Sequence, residues 1–192
     1  ITDPNFISYR IPGGRGVGFT FPGAQQSEWD VDSNIATYPD LYPGMDARYT
    51  IQNDVMLEEL VVEEKDDASS FYRLDQQVTL HDVYFREQDD GSVTFHDADT
   101  GYGVFVIPKP VLYEDGDILR QNANFGLHFE ISQTDADTYI ISKIIDEEGK
   151  VWLDNAAYPV VIDNSYLGFW SGAHGTTMRS RHNMSGTINY EI

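Results

Sequence analysis

Tyr158-Pro159-Val160-Val161-Ile162-Asp163 decides the fold class, read together with two blocks that precede it. These are Ala36-Thr37-Tyr38-Pro39-Asp40-Leu41-Tyr42-Pro43-Gly44-Met45-Asp46 and Phe105-Val106-Ile107-Pro108-Lys109-Pro110-Val111-Leu112-Tyr113. In each, tyrosine, proline and aliphatic residues stand at the mouth of an extended run, and no helical period is present. This is the grammar of a β-module in a surface protein and not of a catalytic pocket.

Working outward, strand patterns dominate. Val17-Gly18-Phe19-Thr20-Phe21 alternates and stops at Pro22-Gly23. Val78, Leu80, Asp82 and Tyr84 mark another alternating run, and Gln88-Asp89-Asp90-Gly91 is a hairpin turn leading to Val93-Thr94-Phe95. Phe125, Leu127, Phe129 and Ile131 alternate with Gly126, His128 and Glu130, a half-buried strand by period 2. Thr138 to Ile145 follows a D-A-D turn. Asp146 to Lys150 reads as a further tight turn before the short run Val151-Trp152-Leu153. The polar stretch from Glu63 to Ser70 reads as a loop or a single helical turn. Short strands at roughly ten-residue spacing predict an all-β protein: an antiparallel, jelly-roll-like β-sandwich with minimal helix. Residues 1–21 are expected to be an extended N-terminal segment and residues 22–192 the sandwich.

The 192 residues suit one domain, and 41% hydrophobic with 13% aromatic content is enough for a packed core. Cysteine is absent, so no disulfide staples the chain. The net charge of −20, from 32 acidic and 12 basic residues, repels phosphate backbones and anionic membranes. It predicts no nucleic-acid partner, and either a high-salt setting or carboxylate loops neutralised by divalent cations. No run approaches the ~20 apolar residues of a membrane span. The chain opens on Ile1-Thr2-Asp3-Pro4 without an initiator methionine, which reads as a processed or excised start.

The segment from Ile35 to Val62, with its Y-P-D-L-Y-P-G-M-D and the strands that follow, resembles a known type of module. It is similar to the β-rich segment that precedes DNRLRE-type and YD-repeat regions in large secreted, cell-wall-associated bacterial and archaeal proteins. Phe95 to Tyr113, Trp152-Leu153 and Tyr158 to Asp163 continue the likeness in the same order, over roughly Ile35 to Leu167. Asn164 departs from it, standing where that family often has proline. The resemblance implies an extracellular, non-catalytic β-module and brings no catalytic residues.

Candidate sites are few. Asp97-Ala98-Asp99-Thr100-Gly101 and Glu114-Asp115-Gly116-Asp117 space hard oxygen ligands as Ca2+ needs, so Asp97, Asp99, Asp115 and Asp117 are the metal candidates. Asp and Gly also simply make turns. No cofactor is required, and Ca2+ is the candidate ion. Paired acids such as Glu58-Glu59 could serve a glycosidase, but every acidic protein offers such pairs. The five histidines show no zinc spacing, and no G-x-S-x-G elbow is present. Tyr38, Tyr42, Tyr49, Phe169 and Trp170 could stack on sugar rings, though core and edge packing in a β-sandwich is the better account of them. Asn183-Met184-Ser185 is a glycosylation sequon.

The residues and the resemblance together point to a non-enzymatic structural or assembly module of the cell surface. It would be a subunit of a filament, sheath or appendage, or part of an adhesin, with a carbohydrate-binding module as the alternative. The expected partners are copies of the chain, with polysaccharide second. Ile7, Tyr9, Ile11, Val17, Phe19 and Phe21 would add a strand to a neighbouring subunit. The same segment could instead complete its own sandwich.

Overall fold

The period-2 runs form strands in the computed structural model, which describes residues 7–10, 14–25, 29–52, 55–117, 119–169, 179–182 and 188–191. In chain order the strands are β1 (Ile7–Arg10), β2 (Gly16–Thr20), β3 (Asp30–Asp32), β4 (Ile35–Tyr42), β5 (Met45–Gln52) and β6 (Val55–Val62). After helix α1 (Lys65–Ala68) and a 3-10 turn come β7 (Arg73–His81), β8 (Val83–Glu87), β9 (Val93–Asp97), β10 (Gly103–Ile107) and β11 (Val111–Glu114). Then follow β12 (Leu127–Asp135), β13 (Thr138–Ile145), helix α2 (Glu147–Leu153), β14 (Val160–Phe169), β15 (Arg179–His182) and β16 (Ile188–Glu191).

These strands make two sheets. One runs β12-β13-β7-β2-β1-β16-β15, the other β3-β4-β5-β6-β14-β10-β9-β8 with β11 added beside β14. Pairing is antiparallel except between β1 and β16. The all-β prediction holds, with only two short helices and a 3-10 turn among the described residues. One apolar core joins the sheets. Val17, Phe19, Leu74, Val78 and Ile141 reach it from the first sheet; Tyr38, Met45, Tyr49, Leu60, Phe95 and Ile162 reach it from the second. Burying each such side chain contributes roughly 1.5–3 kcal/mol before entropy is counted. Aromatic rings supply much of the volume: Phe95 stacks on Phe105 at 4.2 Å, and Tyr38 meets Tyr49 edge-on at 5.8 Å. Tyr38 and Tyr49 are therefore core residues and offer no face to a sugar.

Local chemistry explains the turns. Between β8 and β9, Gly91 takes φ 84° while the Ser92 amide donates to Asp90 Oδ1, as the D-D-G signature predicts. The reading fails at Asp146 to Leu153, which is a helix and not a turn followed by a strand. Its N-cap is Asp146, whose side chain accepts from the Gly149 amide, and Glu147 and Glu148 sit favourably in the first turn. At 7 residues the helix is too short to display a period.

The N-terminal segment corrects the strand-donation expectation. β2 lies between β1 and β7 in the chain's own sheet, and Val17, Phe19 and Phe21 are buried in its core. Those side chains are already used within the fold, so they are not an open edge for a neighbour. Ile7 and Tyr9 lie in β1, paired with β2 and β16. Ile11 and Asn183 fall outside the described residues.

Candidate functional site

Alternation along β5, β6, β14 and β11 carries a polar row onto the outer face of the larger sheet. Registry aligns Arg48 with Glu59, Glu59 with Asp163, and Asp163 with Val111. The next row is Asp46, Val61, Val161 and Tyr113. Val61, Val111, Tyr113 and Val161 form a small apolar cluster on this face, and the charged groups border it.

The charged groups are tightly interlocked. Tyr113 donates its hydroxyl hydrogen to Glu59 Oε1 at 2.5 Å. Arg48 holds Asp115 with two nitrogens, at 2.8 and 3.3 Å, and its Nε lies 3.6 Å from Glu59. Arg120, from the loop after β11, reaches Asp163 at 2.5 Å and stacks 4.8 Å from the Tyr113 ring centre. Asp163 is only 3% exposed, so the guanidinium pairs with a buried carboxylate. Burial raises the Tyr113 hydroxyl far above its ordinary pKa, and the bond to Glu59 adds to this while Arg120 opposes it. Burial pushes the Arg48 guanidinium down, but Asp115 and Glu59 outweigh it and hold it above its usual value. The group combines a carboxylate that accepts a proton donor, a phenol and two guanidiniums. A phosphate oxygen could reach either guanidinium only by displacing Asp115 or Asp163.

A second polar group lies on the inner side. Glu58 and Glu59 are neighbours in one strand, so they point to opposite faces of the sheet. That separation rules the pair out as a glycosidase dyad, whose carboxyls must face one substrate. Glu58 is 2% exposed and accepts from Lys143 Nζ at 3.0 Å and from Gln76 Nε2 at 3.3 Å. Lys143 and Gln76 come from the other sheet, so this contact spans the sandwich. Desolvation lowers the Lys143 pKa against the opposing pull of Glu58. Burial raises the Tyr49 phenol well above its usual value, and the Glu58 charge adds to this. A charged residue at an inward position of an apolar strand was the signal available in the sequence.

The metal candidates fall in two different turns. Asp97 accepts from the Asp99 and Thr100 amides and pairs with Arg15 at 2.7 Å; Asp99 also pairs with Arg15. Asp115 pairs with Arg48, and Asp117 accepts from the Asn122 amide. Among the described residues no group of three acidic or histidine side chains converges as a metal holder. Ca2+ at these turns would have to compete with Arg15 and Arg48.

No family model matches the chain, and no solved structure matches it. Three curated proteins are similar to it. A tRNA3(Ser)-specific nuclease WapA of Bacillus spizizenii is 30% identical over 154 residues, covering 75% of this chain and 6% of that protein. A tRNA(Glu)-specific nuclease WapA of Bacillus subtilis subsp. natto is 30% identical over 155 residues, again 75% and 6%. The tRNA nuclease WapA of Bacillus subtilis is 28% identical over 172 residues, 83% of this chain and 7% of that protein.

These similarities correct several expectations. The matched proteins are named as tRNA nucleases, in place of the DNRLRE-type and YD-repeat module of the resemblance. The same names overturn the surface-assembly and carbohydrate-binding readings, and with them the expectation of a protein that is not an enzyme. They also overturn the exclusion of nucleic acid and the choice of self-copies or polysaccharide as partners. The charge argument failed because it weighs the surface of one segment, whereas a substrate belongs to a whole protein. The chain spans about 6–7% of the length of these relatives.

Proposed function

We propose that this protein is a β-sandwich portion of a WapA-like tRNA nuclease, and that it belongs to the part such nucleases share whichever tRNA they cut. One observation carries the reading. The chain is 30% identical both to a nuclease named for tRNA3(Ser) and to one named for tRNA(Glu), each over three quarters of its length. Sequence-specific RNA recognition depends on particular side chains that stack on and hydrogen-bond exposed bases. A segment that distinguished the two tRNAs would be expected to diverge between two such nucleases. Equal similarity to both is what a common part produces.

The sandwich supports this reading physically. Its core is continuous across both sheets, so the segment is a folded unit able to hold its shape while other parts of a long chain vary.

The test has two arms. The full-length protein containing this chain is incubated with a total tRNA pool, and cleavage is read on a denaturing gel. Cleavage is expected, and intact tRNA at high enzyme concentration would overturn the nuclease assignment. In the second arm this segment is exchanged between two WapA-like nucleases of different specificity. The tRNA that is cut is expected to follow the remainder of the protein; a preference that travels with the segment would overturn the shared-part assignment.

A further inference from the structure

The inner contact between the sheets gathers an amine, a carboxamide and a carboxylate in an apolar interior. Lys143 is 2% exposed, Glu58 2% and Gln76 4%. Both nitrogens bond the two oxygens of one carboxylate: Lys143 Nζ donates to Oε1 and Gln76 Nε2 to Oε2. The backbone sets this up. In the β13–β7 ladder Lys143 faces Leu74 and Ile141 faces Gln76, so Lys143 and Gln76 are diagonal neighbours on the inward face. Diagonal positions are ~7–8 Å apart at Cα, within reach of two long side chains. Ile141 and Ile145 flank the lysine along its strand, Met56 and Leu60 flank the glutamate, and all four are buried. The Phe21 ring centre lies 5.7 Å from Lys143 Nζ.

We propose that this chain joins itself covalently, forming an amide bond between Lys143 Nζ and Gln76 Cδ, with Glu58 carrying the protons. The reaction balances without any outside reagent. Glu58 takes a proton from the ammonium, which leaves a neutral amine. The Nζ lone pair attacks Cδ of Gln76 and forms the new C–N bond. The protonated Glu58 then delivers its proton to Nε2, the Cδ–Nε2 bond breaks and ammonia departs, and Glu58 takes the second Nζ proton, which leaves a neutral amide beside a neutral acid. Lysine amine and glutamine carboxamide become a secondary amide plus ammonia.

The surroundings favour each step. Desolvation already lowers the lysine pKa and so promotes the neutral, nucleophilic amine. Glu58 contacts both the attacking and the leaving nitrogen, as a group that moves a proton between them must. The product removes two buried charges, which are costly to keep in a medium of low dielectric. Water is excluded, so hydrolysis does not compete. The bond would tie β13 to β7 across a long intervening stretch of chain and lower the entropy of the unfolded state, as a disulfide does in a chain that has none. The inference is independent of the tRNA nuclease reading, since it concerns the interior of the sandwich.

The experiment is intact-mass spectrometry of the purified, fully denatured chain. A mass lower than the sequence value by one ammonia is expected. Tryptic digestion should yield peptide 74–86 joined to peptide 121–150, with no cleavage after Lys143. Fragmentation should place the link on Gln76 and not on the adjacent Gln77. Glu58→Gln and Lys143→Arg should each restore the full mass and give separate peptides. An unmodified wild-type mass would overturn the proposal and leave a buried ion pair. Loss of one water would also overturn it, since that would mark an amide to Glu58 itself. Loss of ammonia localised to any other residue would do the same. The wild-type mass decides the matter even if a variant fails to fold.

Discussion

Gly126 and Gly149 show how closely single residues constrain this fold. A Cβ on Gly126 would overlap the Gly149 backbone nitrogen, and one on Gly149 would overlap the Gly126 carbonyl oxygen. Backbone cannot step aside as a flexible side chain can. Either glycine changed to alanine is therefore expected to destabilise the protein by about 1–3 kcal/mol in urea denaturation. Gly116 takes φ 93° but faces open space, so Gly116→Ala should show backbone strain alone. Asp97 makes a second residue-scale case. The Thr100 and Asp99 amides and the Arg15 charge lower its pKa below the usual carboxylate range. A lowered native pKa means that the charged form stabilises the fold above the unfolded pKa, and that this contribution is lost as pH falls through the native value. Melting curves of wild type and Asp97→Asn should thus differ at neutral pH and converge in acid. A gap that stays constant with pH would show that the charge plays no part.

Among elements, β2 and helix α2 make opposite points. β2 carries the apolar alternation read in the sequence, and it lies between β1 and β7 with Val17 and Phe19 buried. Deleting residues 14–21 is expected to abolish cooperative unfolding, measured by circular dichroism and intrinsic fluorescence. A folded, soluble product would contradict the placement of β2 inside the sheet. Helix α2 was not legible, because about two turns carry no readable period. Its identity lies in Asp146, whose side chain satisfies the Gly149 amide. Asp146→Ala is expected to cost about 1 kcal/mol, seen as a lower urea midpoint with unchanged slope.

For the whole molecule, charge is the dominant long-range property. A net charge of −20 on 192 residues opposes the compact state through self-repulsion. The melting temperature is expected to rise as NaCl goes from roughly 0.02 to 0.3 M, where screening shortens from tens of ångströms to below ten. A flat profile would mean that pairs such as Arg15–Asp97 and Arg120–Asp163 already neutralise the effective field.

Alternation, turn chemistry and composition by themselves determined that this chain is all-β, that strands such as β9 and β14 exist, and that turns such as Asp89-Asp90-Gly91 join them. These are local consequences of pleat geometry and φ preference, written within a few residues of one another. Only the tertiary structure decided what the polar residues do. Glu58 and Glu59 look alike in the sequence, yet one is sealed between the sheets with Lys143 and Gln76, and the other borders an outer cluster with Tyr113 and Arg48. Their partners lie 11 to 85 residues away along the chain, on strands whose neighbours are set by sheet order. Registry between distant strands depends on the packing of the whole core, and no local pattern encodes it.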